Sequence, residues 1–395
     1  MEKKITIGIF NDAYYPAVDG VVMVVDNYAK LLSKIANVIL FVPDYKMEYD
    51  DSSYPFKVVR IKSVKIPTVE YSLAIPKLDR KLKEELNKYH LDIIHVHSPF
   101  SIGSLGIKYG RKNHIPVICT MHTQHKQDIK CVTHSELIAN IGTKKLIKLY
   151  DKCDECWAVN KGVANLFYEE YGYHTIPRVM PTAVDMKYVK DTKKAHEVIN
   201  KLHNIKENEK VFLFVGRLTR VKNIFFIVDA LAELEKRKID LDYKMLFVGI
   251  GPDAEALKKY VKSKNLTKKV IFAGKVVDRE LLSYYYSRCD LFLFPSMYDT
   301  NSLVQKEAAS QKKPTIYLKD AITAYDIIDN ETGFISENNY KRYTDKILEV
   351  LDNDKLYHKV SKNAYQKVYC TWEDIVDKSY DLYLDWIYKY NKGRK

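Results

Sequence analysis

At 395 residues, with 46% hydrophobic and 29% charged side chains, the chain has room for two domains of ordinary size, and its make-up excludes a disordered or fibrous protein. Six cysteines in a chain this long do not form a disulfide framework, and the net charge of +13 speaks about partners rather than fold. The opening run is too short and polar for a signal peptide, and no stretch approaches the ~20 apolar residues that span a bilayer, so a cytoplasmic protein is expected.

In chain order, short β-branched runs alternate with amphipathic helical stretches. Strands are predicted at residues 5–10, 38–42, 58–61, 93–97, 117–121 and 155–159, with helices among them such as 24–35 and 78–89. A charged segment, 187–210, precedes a second series of strands at 211–215, 244–248, 270–272, 291–294, 315–318 and 333–335. Such alternation builds parallel sheets covered by helices, so the expected fold class is α/β, with two doubly wound Rossmann-like domains. They are placed at 1–190 and 191–370, with the boundary inside 185–205. The final helices, from about Leu356 and above all 371–395, are free to pack back on the first domain.

The motifs fall where strands end. Asn11 to Gly20 follows the first strand and opens a helix, and Gly20 would present backbone amides at a helix N-terminus, which favours a phosphate. The Rossmann glycine triplet is absent, so a nicotinamide cofactor is not expected. His95, His97, His122 and His125 gather at the ends of two strands, yet no nearby carboxylate or cysteine completes a metal set. His122 and His97 are read as hydrogen-bonding groups over a substrate, and Cys153 with Cys156 as ordinary core thiols.

In the second series, Gly216 is followed by Arg217, Arg220 and Lys222 on a strand-to-helix turn. Arg217 and Lys222 would grip a diphosphate and stabilise the charge that builds on a departing phosphate. The glycines Gly249, Gly251 and Gly274, the last followed by Lys275, would let backbone approach a base or ribose. Finally, the predicted strand 291–294 runs into Pro295, and the carboxylates Asp299 and Glu307 stand eight positions apart. Asp299 is expected in a loop and Glu307 about two turns into a helix, suited to gripping two separate polyols at the carboxyl edge of a sheet.

Together these residues resemble the retaining glycosyltransferases of family 4, with their two-domain GT-B architecture. The resemblance covers nearly the whole chain and rests on Tyr15-Pro-Ala-Val-Asp-Gly20-Val, His95-Val-His97-Ser-Pro-Phe100, Gly216-Arg-Leu-Thr-Arg-Val-Lys222-Asn, Gly249-Ile-Gly251-Pro, and Pro295-Ser with the Asp299/Glu307 pair. It implies two domains facing across a cleft, and a hexose moved from a nucleotide sugar, a UDP-sugar by expectation, to a lipid, lipid-carrier or surface-glycan hydroxyl. It assigns Gly20, Arg217 and Lys222 to the donor diphosphate and Glu307 to the ribose. Asp299 would take the donor sugar, with Asn301, Ser302 and Leu303 beside the hexose and phosphate, and His122 next to the transferred group. Gly249, Gly251 and Lys275 complete the donor side; Asp19, His97 and Gln124 line the acceptor side. Retention would proceed by front-face attack, with no metal and no cofactor beyond the co-substrate.

Two positions depart from the family pattern: the first carboxylate is usually Glu and is Asp299 here, and the usual Phe-Gly is Asn301-Ser302. The hexose is therefore not carried over from the family. Basic residues beside aromatic ones, at 107–112 and 386–395, suit an anionic membrane leaflet better than nucleic acid, for which no binding module is present. The expected location is thus the inner membrane face. Two other classes stay open: a GT-B-like UDP-N-acetylglucosamine epimerase and a non-enzymatic two-lobed sugar-binding protein.

Overall fold

The computed structural model describes residues 4–17, 19–65, 72–238 and 240–393. The chain forms two compact units, Met1–Thr182 with Trp372–Lys395, and Ala183–Thr371. In the first, β1 (Thr6–Phe10), β2 (Asn37–Pro43) and β3 (Lys57–Ile61) are followed by a small antiparallel pair, β4 (Ser63–Lys65) and β5 (Ser72–Ala74). Then come β6 (Ile93–Val96), β7 (Val117–Met121), β8 (Glu155–Ala158) and β9 (Arg178–Val179). Seven of them form a parallel sheet in the order β3-β2-β1-β6-β7-β8-β9. Helices cover both faces, so strand residues are buried on either side: in β2 every position after Asn37 is buried.

The second unit holds β10 (Lys210–Val215), β11 (Tyr243–Val248), β12 (Val270–Gly274), β13 (Leu291–Phe294), β14 (Thr315–Leu318) and β15 (Phe334–Ser336). They form a parallel sheet in the order β12-β11-β10-β13-β14-β15. One apolar layer, including Phe214, Ile227, Leu231 and Phe247, fills one face, and another, including Leu213, Tyr286, Phe292 and Phe294, fills the opposite face. The charged segment before β10 is largely a helix of this unit, Thr192–His203. Only Ala195 and Ile199 of that helix are buried, which is why its apolar signal is thin.

In each sheet the first strand lies between the second and a much later one: β1 between β2 and β6, β10 between β11 and β13. Strand order reverses there, and open α/β sheets bind ligands in the crevice at the carboxyl ends of such strands.

The last helix, Trp372–Lys392, belongs to the first unit. Tyr28 Oη and Ser379 Oγ are 3.0 Å apart, and Tyr383 stacks on Trp157 at 5.8 Å and 9°. The helix before it, Asp354–Lys367, stays with the second unit, where Tyr357 donates to the Asp290 carbonyl and Ser361 to that of Lys312. The return to the first unit therefore starts at Trp372 and not near Leu356. Among the described residues no helix is long and apolar enough to cross a membrane.

Candidate active site

At the carboxyl edge of the first sheet, the loop after β1 is tied to the loop after β6. Ser98 Oγ donates to Asn11 Oδ1 at 2.8 Å, and Asp12 accepts from Ser101 Oγ and from the Ile102 and Gly103 amides. Asp12 thus serves the N-terminus of the helix Ser101–Asn113; burial raises its pKa, and those donors oppose the shift. The helix Gly20–Leu32 begins at Gly20, as its position after β1 predicts, and Asp19 is its N-cap, accepting from the Val22 amide at 2.7 Å. A Cβ built on Gly20 would meet nothing within 4 Å, so its face is open.

The histidines gather at the ends of β6 and β7 as expected, with His125 opening the helix that follows, and are all buried. His97 Nδ1 and His122 Nε2 are 3.0 Å apart. His95 is fixed at both nitrogens, by Tyr383 Oη at 2.6 Å and Thr120 Oγ1 at 2.7 Å, and His125 by Tyr150 Oη at 2.8 Å. Burial lowers the pKa of His95 and His122 to about 3 and of His125 to about 4, and takes His97 well below its ordinary value. All four are neutral at physiological pH, so the rim offers hydrogen bonds and not charge. His97 Nε2 is buried with no partner in the protein. Among the described residues no three His, Cys, Asp or Glu side chains converge as a metal site.

Gln124 occupies the N-cap position of the helix His125–Thr133. Beside the first loop a cavity of about 420 Å³ opens among Pro16, Ala17, Tyr45, Met47, Lys65 and Ser72. A larger one, about 860 Å³, lies at the amino ends of the strands, around Thr6, Asn37, Lys57 and Asp92, and shares no residue with the rim.

The second unit presents its own edge at the junction of β10 and β13. Lys222 and Asp299 form an ion pair through Asp299 Oδ1, and Asn223 Nδ2 donates to the Pro295 carbonyl at 3.2 Å. The two loops, far apart in sequence, are thus joined. Asp299 Oδ2 is buried with no partner, as are Ser296 Oγ and Gln305 Oε1 on the same strand-to-helix segment. Arg217 is exposed on the first of these loops, and Arg220 is drawn aside, 3.6 Å from Asp253 and over the Phe225 ring.

Asn301 and Ser302 lead into the helix Leu303–Ser310, with Ser302 at its N-cap position but making no side-chain cap bond. Glu307 is the fifth residue of that helix, little more than one turn in and not two. Its carboxylate is already engaged: Tyr286 Oη donates to Oε2 at 2.8 Å and Arg279 reaches Oε1 at 2.9 Å. Burial first, then the Glu307 charge, raises the Tyr286 pKa, so this phenol remains a donor.

Two glycines have a use that the sequence did not show. A Cβ on Gly249 would lie 1.9 Å from the Gly216 carbonyl oxygen, and one on Gly251 would lie 2.3 Å from that of Leu218. Here the close backbone approach expected toward a base or ribose is an approach to the neighbouring loop. It continues the parallel pairing, with the Gly216 amide donating to the Val248 carbonyl and the Leu218 amide to that of Ile250. Lys275 is exposed on the loop after β12.

The architecture and the strand-end loops agree with the comparisons to known proteins. Residues 18–188 match the profile of Glycosyltransferase Family 4, and residues 196–367 that of Glycosyl transferases group 1. The chain belongs to the family 4 glycosyltransferases. It is similar to the alpha-monoglucosyldiacylglycerol synthase of Acholeplasma laidlawii, 27% identical over 98% of both chains. It is also similar to the synthase of that name from Streptococcus pneumoniae, 29% identical over 78% of this chain and 70% of the relative. In fold it matches Anabaena HepE, solved in complex with UDP, with a TM-score of 0.74 and 15% identity over 96% and 99% of the two chains. The fold of this glycosyltransferase is GT-B.

Sequence reasoning missed Arg279 and Tyr286, the two groups that hold Glu307. Both lie on the helix Arg279–Arg288, where the run Tyr284-Tyr-Tyr286 reads as amphipathic packing. Only a buried hydroxyl's need for an acceptor would have pointed to a carboxylate.

Proposed function

We propose that this glycosyltransferase moves a hexose, with retention, from a UDP-sugar to a hydroxyl of a lipid, lipid-linked or glycan acceptor at the cytoplasmic membrane face. The observation that carries the reading is Asp299. One of its oxygens is held by Lys222 and the other is buried and bare at a topological switch point, where it can accept a bond from a sugar hydroxyl. The two synthases that match most of this chain act, by name, in making a glucosyldiacylglycerol, and HepE was solved with UDP, which supports a lipid acceptor and a uridine donor.

In this reading Arg217, Lys222 and Lys275 supply the positive charge that a diphosphate needs. The amides of Asn301, Ser302 and Leu303 open a helix N-terminus toward it. Glu307 takes the ribose hydroxyls when Arg279, half exposed, swings off Oε1. In the first unit Gly20 leaves the start of its helix open to the phosphates. Asp19, His97 and Gln124 face the acceptor, and neutral His122 hydrogen-bonds the transferred sugar.

The acceptor oxygen attacks the anomeric carbon on the face from which the sugar–phosphate bond breaks. The electron pair of that bond leaves with UDP, whose terminal phosphate takes the acceptor's proton. Lys222 and Arg217 offset the charge that accumulates there, so no metal or other cofactor is required. An epimerase would need carboxylates free at the first rim, whereas Asp12 and Asp19 there serve helix N-termini.

The test is a panel of UDP- and GDP-sugars screened for binding and hydrolysis, followed by the best donor with lipid and sugar acceptors. A glycosylated lipid with its anomeric configuration kept is expected. Donor conversion without any acceptor would replace this reading with the epimerase; tight binding of free sugar with no nucleotide affinity would replace it with a binding protein.

A further inference from the structure

The loop that carries His122 and Gln124 leads directly into a pair of helices, His125–Thr133 and Glu136–Tyr150. Their base is fastened at the rim by the 2.8 Å bond between His125 Nε2 and Tyr150 Oη, the first residue of one helix and the last of the other. They pack closely, for a Cβ on Gly142 would lie 2.8 Å from Ile129 Cδ1. The turn between them therefore stands about 13 Å from that base, the length of the shorter helix.

Around this turn the apolar residues are in solvent. Val132 is 81% exposed, Leu137 69%, Ile138 50% and Ile141 48%, four large aliphatic side chains within ten positions. The helix has a proper inner face, with Ala139, Thr143, Ile147 and Tyr150 buried, so this exposure is not that of an unpacked segment. Along the outer face the same stripe continues into cations: Leu137 and Ile141 are followed at helical spacing by Lys144, Lys145 and Lys148, all exposed. Among the described residues these three lysines make no ion pair, whereas Lys126 and Lys130 are both paired with Glu136.

An exposed aliphatic cluster bordered by unpaired lysines has the chemistry of a membrane-surface element: its apolar side chains enter the headgroup boundary while the ammonium groups meet anionic lipid. The two basic-aromatic segments marked in the sequence are less suited. Ile107 is buried in its helix, and in the last helix Trp386 donates to Glu155 and Tyr390 to Asp154.

We infer that the tip of this helical hairpin, Val132 to Ile141 with Lys144, Lys145 and Lys148, docks the first unit on an anionic bilayer. This rests on the reading of a membrane-borne acceptor and locates the contact. The bilayer met by the tip would then stand about 13 Å, one helix length, from Gln124 and His122 at the foot of the hairpin, a gap that an acceptor headgroup has to bridge.

The test uses the full chain and vesicles of phosphatidylcholine, alone or mixed with phosphatidylglycerol, with neither donor nor acceptor present. The wild type should sediment with the mixed vesicles only, and less at high salt. Reversing Lys144, Lys145 and Lys148 together to Glu should lower partition by about a hundredfold or more, from about fivefold per lysine. The triple change Val132→Ser, Leu137→Ser, Ile141→Ser should lower it at least about tenfold. Both variants should keep wild-type circular dichroism and wild-type turnover of a detergent-dispersed acceptor.

Vesicle binding by both variants that equals the wild type would overturn the inference. So would wild-type binding indifferent to lipid charge, or a wild-type dimer that the serine variant dissolves without loss of vesicle binding. If patch-dependent sedimentation is seen but no lipid is ever glycosylated, the proposed function fails and the docking surface stands. Lipid glycosylation with patch-independent sedimentation gives the reverse.

Discussion

Lys222 and Asp299 are 77 positions apart, and neither makes sense alone: the ammonium holds one carboxylate oxygen and leaves its twin buried and bare. If Lys222 both orients Asp299 and meets the leaving diphosphate, Lys222→Ala should cost about 2–4 kcal/mol of transition-state stabilisation, a fall in kcat/KM of roughly thirtyfold to a thousandfold. Steady-state rates with the best donor check this, and unchanged turnover would remove Lys222 from the mechanism. The rim histidines make a different prediction. The folded chain keeps His95 and His122 neutral to about pH 3, while the unfolded chain protonates them below about 6.5. Their contribution is therefore complete above pH 6.5 and is lost as pH falls toward 3, by about 2 kcal/mol for one such histidine at pH 5. Urea midpoints between pH 7 and 5, a window above most carboxylate titrations, should fall accordingly; a flat profile would mean that the rim admits the proton.

At the scale of elements, the last helix is the clearest case of long-range dependence. Tyr383 closes over Trp157 and shares a hydrogen bond with His95 Nδ1, whose other nitrogen meets Thr120. Tyr383→Ala should destabilise the first unit by about 3–5 kcal/mol through the cavity, and Tyr383→Phe by about 1–3 kcal/mol through the unmet His95 nitrogen. Denaturant unfolding of the two variants measures both, and equal losses would show that packing alone matters. Most of the strands were readable in the sequence because each is a short, mostly apolar run closed by polar residues: β13 and β14 match residue for residue, and β1, β2 and β10 lie within one residue at either end. The helix Gly20–Leu32 starts four residues before the predicted span 24–35, at the glycine whose position after β1 marks the turn and with Asp19 as its cap. Arg217, Lys222, Asp299 and Glu307 were legible by type and by position after a strand. The bond from Tyr286 to Glu307, across 21 positions and two different helices, follows no period and belongs to packing.

Over the whole molecule, each unit owns its sheet and its apolar core, so the chain should unfold in two steps. The groups assigned to uridine, diphosphate and sugar, apart from Gly20 and the rim histidines, all lie in the second unit. UDP lacks the hexose and any acceptor, so its binding energy should fall mostly on that unit. At a hundredfold excess over Kd, a ligand that binds only the folded form adds about 2.7 kcal/mol of stability. In a calorimetric scan with and without UDP, one transition should move up while the other, assignable with Tyr383→Phe as a mark on the first unit, stays in place. The pairing matters because the mark and the ligand act on different units: their effects should add, as they do for independent sites. If UDP instead raised the transition that Tyr383→Phe lowers, the first unit would hold the nucleotide, and Gly20 with the open start of its helix would be the donor's principal anchor.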